Sequence, residues 1–442
     1  MRLTSRAAIA LACLGMGFQP LAAQQAPAPP PAPPREPVLI LADTPLAARS
    51  LQLVRLLNGE MEPYEMFTDG FRAAIPDAQI KALSTNLTAQ LGRALELSVL
   101  SPREGARAAL EIRFERGVAK GGLAIDPEQA YLINELRFTA IEPLAVAGDT
   151  PAKAAADLAA LPGAVGAWFA PLDGGAPLIS LNPDTPLALG SAFKLYVLAA
   201  LAEDVKAGRR KWSDVVPLSE KSLPSGQLQN WPRGAPVTLH SLASLMISLS
   251  DNTATDQLIR VLGRERILEA MKDSGHSHLA ANAPFLSTRE LFALKADPAL
   301  TAAYRNGNAQ ARAALLEGIA GEVPTLEAVN AAFANGPKAL DLEWFASPAD
   351  IARLFAFMRR TADPQAFAIL AINPQTTPAI EERWAYAGFK GGSEPGVINL
   401  TWLVTDKAGR DWVMTLGWNN PAAVVDDAKA LALAQRILQL PR

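Results

Sequence analysis

The sequence predicts an α+β chain of two unequal domains, and three observations carry that prediction. Residues 44–148 run from helical periodicity into alternating strand patterns, as a small α+β domain would. Residues 149–442 open and close with strand patterns that bracket a mostly helical stretch. The 442 residues also exceed what one core of ordinary size holds.

In the small domain, Leu46, Leu51, Val54 and Leu57 recur at helical spacing. The segments Met61–Ala74 and Asp77–Leu91 read the same way. Strands follow: Leu110, Ile112 and Phe114 alternate with Glu111, Arg113 and Glu115, and Leu136 and Phe138 with Glu135 and Arg137. Arg113, Glu115 and Arg137 are expected on solvated strand faces, so this domain offers no catalytic dyad. In the larger domain GDTPAKAAADLAALPG predicts a helix. GAVGAWFAPL and APLISLN flank Asp173-Gly174-Gly175, a hairpin signal. An apolar helix begins near Leu189, and helical patterns continue to about Asp363. Strands return in WAYAGF, VINLTWLV and DWVMTLGW, with Ile398, Leu400, Trp402 and Val404 alternating. An amphipathic helix from Ala423 to Leu440 closes the chain.

Ahead of both domains, Arg2 and Arg6 precede an apolar run from Ala7 to Phe18, then small residues up to Ala23. This predicts an export signal over 1–23, cleaved near Ala23 and too short to remain as a membrane span. Residues 24–43 follow as a proline-rich linker. The one cysteine, Cys13, lies in the signal, so the mature chain is expected to hold no disulfide and no thiolate. A periplasmic or secreted protein is implied. The net charge of −3 and the lack of a basic run argue against a nucleic-acid partner.

Three short motifs carry chemistry. In LGSAFKLYVLAAL, Ser191 and Lys194 stand one helical turn apart on an apolar helix. Either Ser191 is an ordinary N-cap and Lys194 a snorkelling cation, or the amine activates the hydroxyl as a nucleophile. Burial and a cationic neighbour would lower the lysine pKa for that task. Next, Ser250-Asp251-Asn252 breaks two apolar helical runs. It is either a plain N-cap or the source of a second hydroxyl and a carboxamide beside Ser191. Last, FKGGSEPG holds Lys390, Gly391, Gly392 and Ser393. It is either a tight turn or a cationic strand along which an anionic substrate lies close to the backbone.

The ordered set S-x-x-K, S-D-N and Lys-Gly resembles class A β-lactamases and penicillin-binding proteins from about Ala152 to Arg442. That resemblance implies a serine hydrolase that acts on a β-lactam or a related amide or ester. Ser191 would be acylated, with Lys194 as its base and Ser250 and Lys390 moving protons. Asn252, Gly392 and Ser393 would bind substrate, and the N–H groups of Ser191 and Ser393 would form an oxyanion hole. Asp251 would be structural. No metal or other cofactor is implied, and the partner is a small molecule. The fold implied is an antiparallel sheet flanked by helices with a helical insertion.

Two departures stand out. Gly391 replaces the hydroxyl residue usual between Lys and Gly. The E-x-x-L-N pattern of the deacylating loop does not occur in SGHSHLAANAPFLSTRELFALK, where Glu290 is expected as a solvent-facing helix residue. The chain is also similar to exported β-lactamase-like hydrolases with an N-terminal isomerase- or cystatin-like domain, such as the esterase of clavulanic acid clusters. An esterase, a D-Ala-D-Ala peptidase-like enzyme with slow deacylation, and a non-turnover penicillin-binding sensor therefore stay open beside the β-lactamase. His276 and His278 lack further ligands nearby for a metal, and Trp231 is either a cleft wall or plain packing.

Overall fold

The computed structural model describes residues 44–143 and 149–441, so the predicted signal, the linker and Cys13 lie outside the described residues. The chain divides into two units, 1–148 and 149–442.

The first unit begins with α1 (Pro45–Leu57), whose first turn is capped by the Thr44 hydroxyl accepting from the N–H of Ala47. Short helices α2 (Pro63–Met66) and α3 (Asp69–Ala74) lead to α4 (Asp77–Leu91). Then β1 (Ala94–Arg103), β2 (Arg107–Phe114), β3 (Gly117–Asp126) and β4 (Leu132–Pro143) form an antiparallel sheet in chain order. Leu53, Leu56, Phe67, Leu110, Ile112 and Phe114 fill the space between helices and sheet. Arg113, Glu115 and Arg137 are exposed. The strands expected from alternation lie on β2 and β4. β3 carries no such signal because Gly121 and Gly122 interrupt it. At Gly121 the backbone of Arg137 passes where a Cβ would sit, 2.1 Å away, so a side chain is excluded there.

The second unit starts with α5 (Pro151–Ala159), then β5 (Ala164–Pro171) and β6 (Ile179–Leu181), which pair antiparallel around Gly174 at φ +87°. β7 (Leu187–Ala188) leads through a 3₁₀ turn (Gly190–Phe193) into α6 (Lys194–Lys206). The ribbon of β8 (Val215–Pro217) and β9 (Pro236–Thr238) precedes α7 (Leu239–Ser248), α8 (Asn252–Leu262) and α9 (Arg264–Asp273). Helices α10 (Thr288–Ala296), α11 (Pro298–Asn306), α12 (Ala309–Gly318) and α13 (Leu326–Phe333) follow. β10 (Phe345–Ala346) pairs with β7, and α14 (Pro348–Thr361), α15 (Gln365–Leu370) and α16 (Pro378–Arg383) lead back to the sheet. The chain closes with β11 (Trp384–Glu394), β12 (Val397–Asp406), β13 (Asp411–Asn419) and α17 (Asp427–Ile437), which is shorter at both ends than the expected helix and starts late because Asp426 caps it.

The five strands of the main sheet run antiparallel in the order β11-β12-β13-β5-β6, so the two ends of the unit meet at the β13–β5 seam. Leu158, Trp402, Trp418 and Ile437 form the core under α5 and α17. On the other face Leu403 and Val413 join the larger core around α6. Helix α6 is buried on nearly every side, which is why its sequence is apolar all round. Lys194 opens that helix at 0% exposure.

Candidate active site

Ser191 sits in the 3₁₀ turn, where three residues per turn place it directly over Lys194. The turn begins at Gly190, whose φ of +49° suits glycine. Ser191 caps neither the turn nor α6, since Leu189 and Phe193 hold those positions without side-chain bonds. The N-cap alternative for Ser191 is therefore excluded.

The Lys194 amine donates to the Ser250 carbonyl at 2.7 Å and to Asn252 Oδ1 at 2.7 Å, and lies 3.1 Å from Ser250 Oγ. Burial first, and the charge of Lys390 second, push its pKa well below the ordinary lysine value. Its hydrogen bonds thus run to the Ser-Asp-Asn segment. The other end of the Asn252 carboxamide donates to the Leu223 carbonyl at 3.3 Å. Both ends of that group are engaged within the protein.

Ser250 holds a left-handed φ of +55°, uncommon for a residue with a side chain. Asp251 explains how it is held. Its carboxylate caps α8 by accepting from Ala254 N at 2.8 Å. It also accepts from Gln227 N at 2.6 Å and Leu228 N at 3.0 Å. Gly226 opposite it has no room for a Cβ, which would fall 2.3 Å from the carboxyl carbon. Asp251 is a brace, and the N-cap reading of this break is right for Asp251 while Ser250 is left facing the amine.

Lys390 lies on β11, buried, and burial lowers its pKa to about 7. Two residues on, Gly392 presses against the 3₁₀ turn: a Cβ there would sit 2.3 Å from the N of Ser191. A Cβ on Gly190 would likewise sit 3.0 Å from the N of Ser393. Glycine at both places brings the backbone around Ser191 and Ser393 together, as an oxyanion hole requires. The Ser393 side chain is exposed and engages the Asp427 carboxyl at the start of α17.

The sequence left Asp256 and Thr288 unread. Asp256 of α8 accepts from Ser222 Oγ at 2.5 Å, Thr288 N at 2.7 Å and Arg289 N at 3.0 Å. It ties the start of α10 to the Ser-Asp-Asn helix, and Thr288 Oγ1 reaches the Asn252 carbonyl at 3.4 Å. Asp251 and Asp256 are the carboxylates whose charges act on Lys194, and each is already saturated with donors. Glu290 is a correction: it is 2% exposed, not solvent-facing. It forms a capping box with Ser287 and a fork with Arg264, one contact being 2.8 Å, and the pair holds its pKa low against burial. The Ser-x-x-Glu spacing of a capping box was the available signal. Its side chain is committed to Arg264.

His276 is buried and lies 3.0 Å from the Tyr196 hydroxyl and 3.2 Å from Asn282 Nδ2. Burial lowers its pKa, so it packs as a neutral ring. His278 lies against the carbonyl of Asp184. Among the described residues no cluster of three or more potential ligands could hold a metal. Trp231 is 45% exposed.

The model of the β-lactamase enzyme family matches residues 151–437. Among curated proteins no sequence matches the chain. Solved structures similar to it include a β-lactamase from Sphaerobacter thermophilus DSM 20745, with 24% identity, a TM-score of 0.46, and cover of 65% of this chain and 95% of that one. A variant of PBP-A, as an acyl-enzyme complex with penicillin G, has 17% identity, a TM-score of 0.45, and cover of 65% and 94%. A β-lactamase from Desulfarculus baarsii DSM 2075 has 18% identity, a TM-score of 0.45, and cover of 66% and 98%.

Proposed function

The chain belongs to the β-lactamase enzyme family, and from that premise we propose that it is a serine hydrolase of the class A type that opens a β-lactam, or a related amide or ester, through an acyl-Ser191 intermediate. The observation that carries the proposal is the buried Lys194 amine, its pKa lowered, one 3₁₀ turn from Ser191 and 3.1 Å from Ser250 Oγ. Ser191 Oγ attacks the carbonyl carbon, and the neutral Lys194 amine takes its proton. The N–H groups of Ser191 and Ser393 hold the oxyanion. Ser250 passes the proton to the leaving atom, so the bond to it breaks as the acyl bond to Ser191 forms. Lys390, near neutral charge balance at pH 7, lowers the Lys194 pKa and faces the substrate's anionic group. The predicted export signal adds the expectation of a periplasmic or secreted enzyme.

A second reading, a penicillin-binding or peptidase-like enzyme with slow deacylation, is favoured by the saturated state of Asp251, Asp256 and Glu290. An intact-mass time course with benzylpenicillin decides. An adduct on Ser191 that disappears as penicilloate accumulates supports the β-lactamase. A persistent adduct supports the second reading. No adduct with benzylpenicillin or with an activated ester refutes both.

A further inference from the structure

A third buried lysine lies against the end of β11. Lys295 of α10, at 0% exposure, donates to Glu343 Oε1 at 2.6 Å and to Glu394 Oε1 at 2.5 Å. Glu394 ends β11, immediately after Ser393, and shares a strand face with Lys390 and Gly392. Glu343 precedes β10, and its Oε2 is enclosed with no donor if both carboxyls are ionised. Phe333 of α13 covers the amine, its ring centroid 5.9 Å away. Asp341 lies farther out, paired with Arg305 of α11. The charged groups facing Glu394 are therefore Lys295 and Glu343. Two carboxylates on one ammonium would bury a net negative charge, which is costly in an enclosed site.

We propose that Glu394 and Glu343 share one proton, and that this pair, tied by Lys295, positions the N–H of Ser393 as an oxyanion donor. The inference rests on the reading of Ser393 given above. The shared proton supplies the donor that Glu343 Oε2 lacks and leaves the cluster neutral. Burial, and then the charge of Glu343, push the Glu394 carboxyl well above its ordinary range. Ser393 is thus held from both sides. Gly392 is pressed on the Ser191 turn, and Glu394 is fastened to α10. Glu394 and Glu343 are positioning residues that touch no reacting atom.

The test compares wild type, E394Q and E394A across pH 6–9, following acylation of Ser191 by benzylpenicillin and the infrared carboxyl bands. E394Q keeps the donor and cannot ionise. Its acylation at neutral pH should stay within about threefold of wild type, whereas E394A should lose about tenfold or more, part of the worth of one oxyanion donor. The ratio of wild-type to E394Q rates should fall as pH rises, because only wild type loses the shared proton. A protonated-carboxyl stretch should be present in wild type at pH 7 and absent in E394Q. A pH-independent ratio, or E394A matching wild type, overturns the positioning role. A missing infrared band overturns the shared proton even if wild type never acylates, so the two readings fail separately. If E394A does not fold, E343Q replaces it, with the same loss of the band expected.

Discussion

Two regions of this protein bury lysine, and they treat it oppositely. Lys194 and Lys390 lie in the cleft with no carboxylate at ion-pair distance among the described residues, and their pKa values fall. Lys295 lies beyond the far end of β11 with two carboxyls in contact, and its pKa rises despite burial. Burial alone does not mark a catalytic amine. What separates them is whether the fold supplies the counter-charge. Where it withholds it, the amine is driven toward the neutral form that can accept a proton; where it supplies it, the lysine becomes a tether.

The largest break in that contrast should come from the cleft. S191A should form no adduct at all by mass spectrometry, and K194M should acylate about 10²–10⁴-fold more slowly, the usual worth of a general base. If K194M acylates at the wild-type rate, the amine is not the base. K295M should act on stability instead, costing about 3–5 kcal/mol in denaturant unfolding by leaving a buried carboxylate uncompensated. A K295M protein as stable as wild type would dissolve the distinction between the two regions. G392A should sit between them. It forces the strand off the Ser191 turn, so acylation should fall about 10²-fold with the loss of one oxyanion donor.

Smaller effects sharpen the comparison through pH. Lys390 has a folded pKa of about 7 against an ordinary 10.5. The unfolded chain therefore binds more protons between those values, and this lysine makes stability rise with pH across that window. Lys295 is raised above 10.5. Its stabilisation is complete below that value and is lost as pH climbs through the folded pKa. K390M should remove a rising component of the stability-versus-pH curve measured by urea unfolding. Smallest of all, R113A in the first unit should stay within about 0.5 kcal/mol of wild type, because Arg113 is an exposed strand residue.

The sequence shows the cleft and hides the tether for a physical reason. Ser191 and Lys194 are three residues apart, and Ser250 and Asn252 bracket a helix break, so local spacing reports them. Glu343 and Glu394 stand 48 and 99 residues from Lys295 in chain separation, and only packing brings the three together. Asp256 was unreadable for the same reason, since its partners Ser222 and Thr288 lie on other segments. Glu290 was misread because the fork it forms with Arg264 spans 26 residues. In the fold, β5, β6 and β11–β13 were legible through alternation and turn chemistry. β3 was not, because its glycines serve a close approach that no hydropathy pattern reveals.

The left-handed backbone at Ser250 has a consequence for how this protein could be improved or lost. A glycine there would relieve a conformation that costs about 1–3 kcal/mol for other residues. It would also delete the hydroxyl beside Lys194. S250G should therefore melt later than the natural protein while failing as an enzyme. Selection for robustness alone would drift toward such a chain, a sturdier shell emptied of its chemistry.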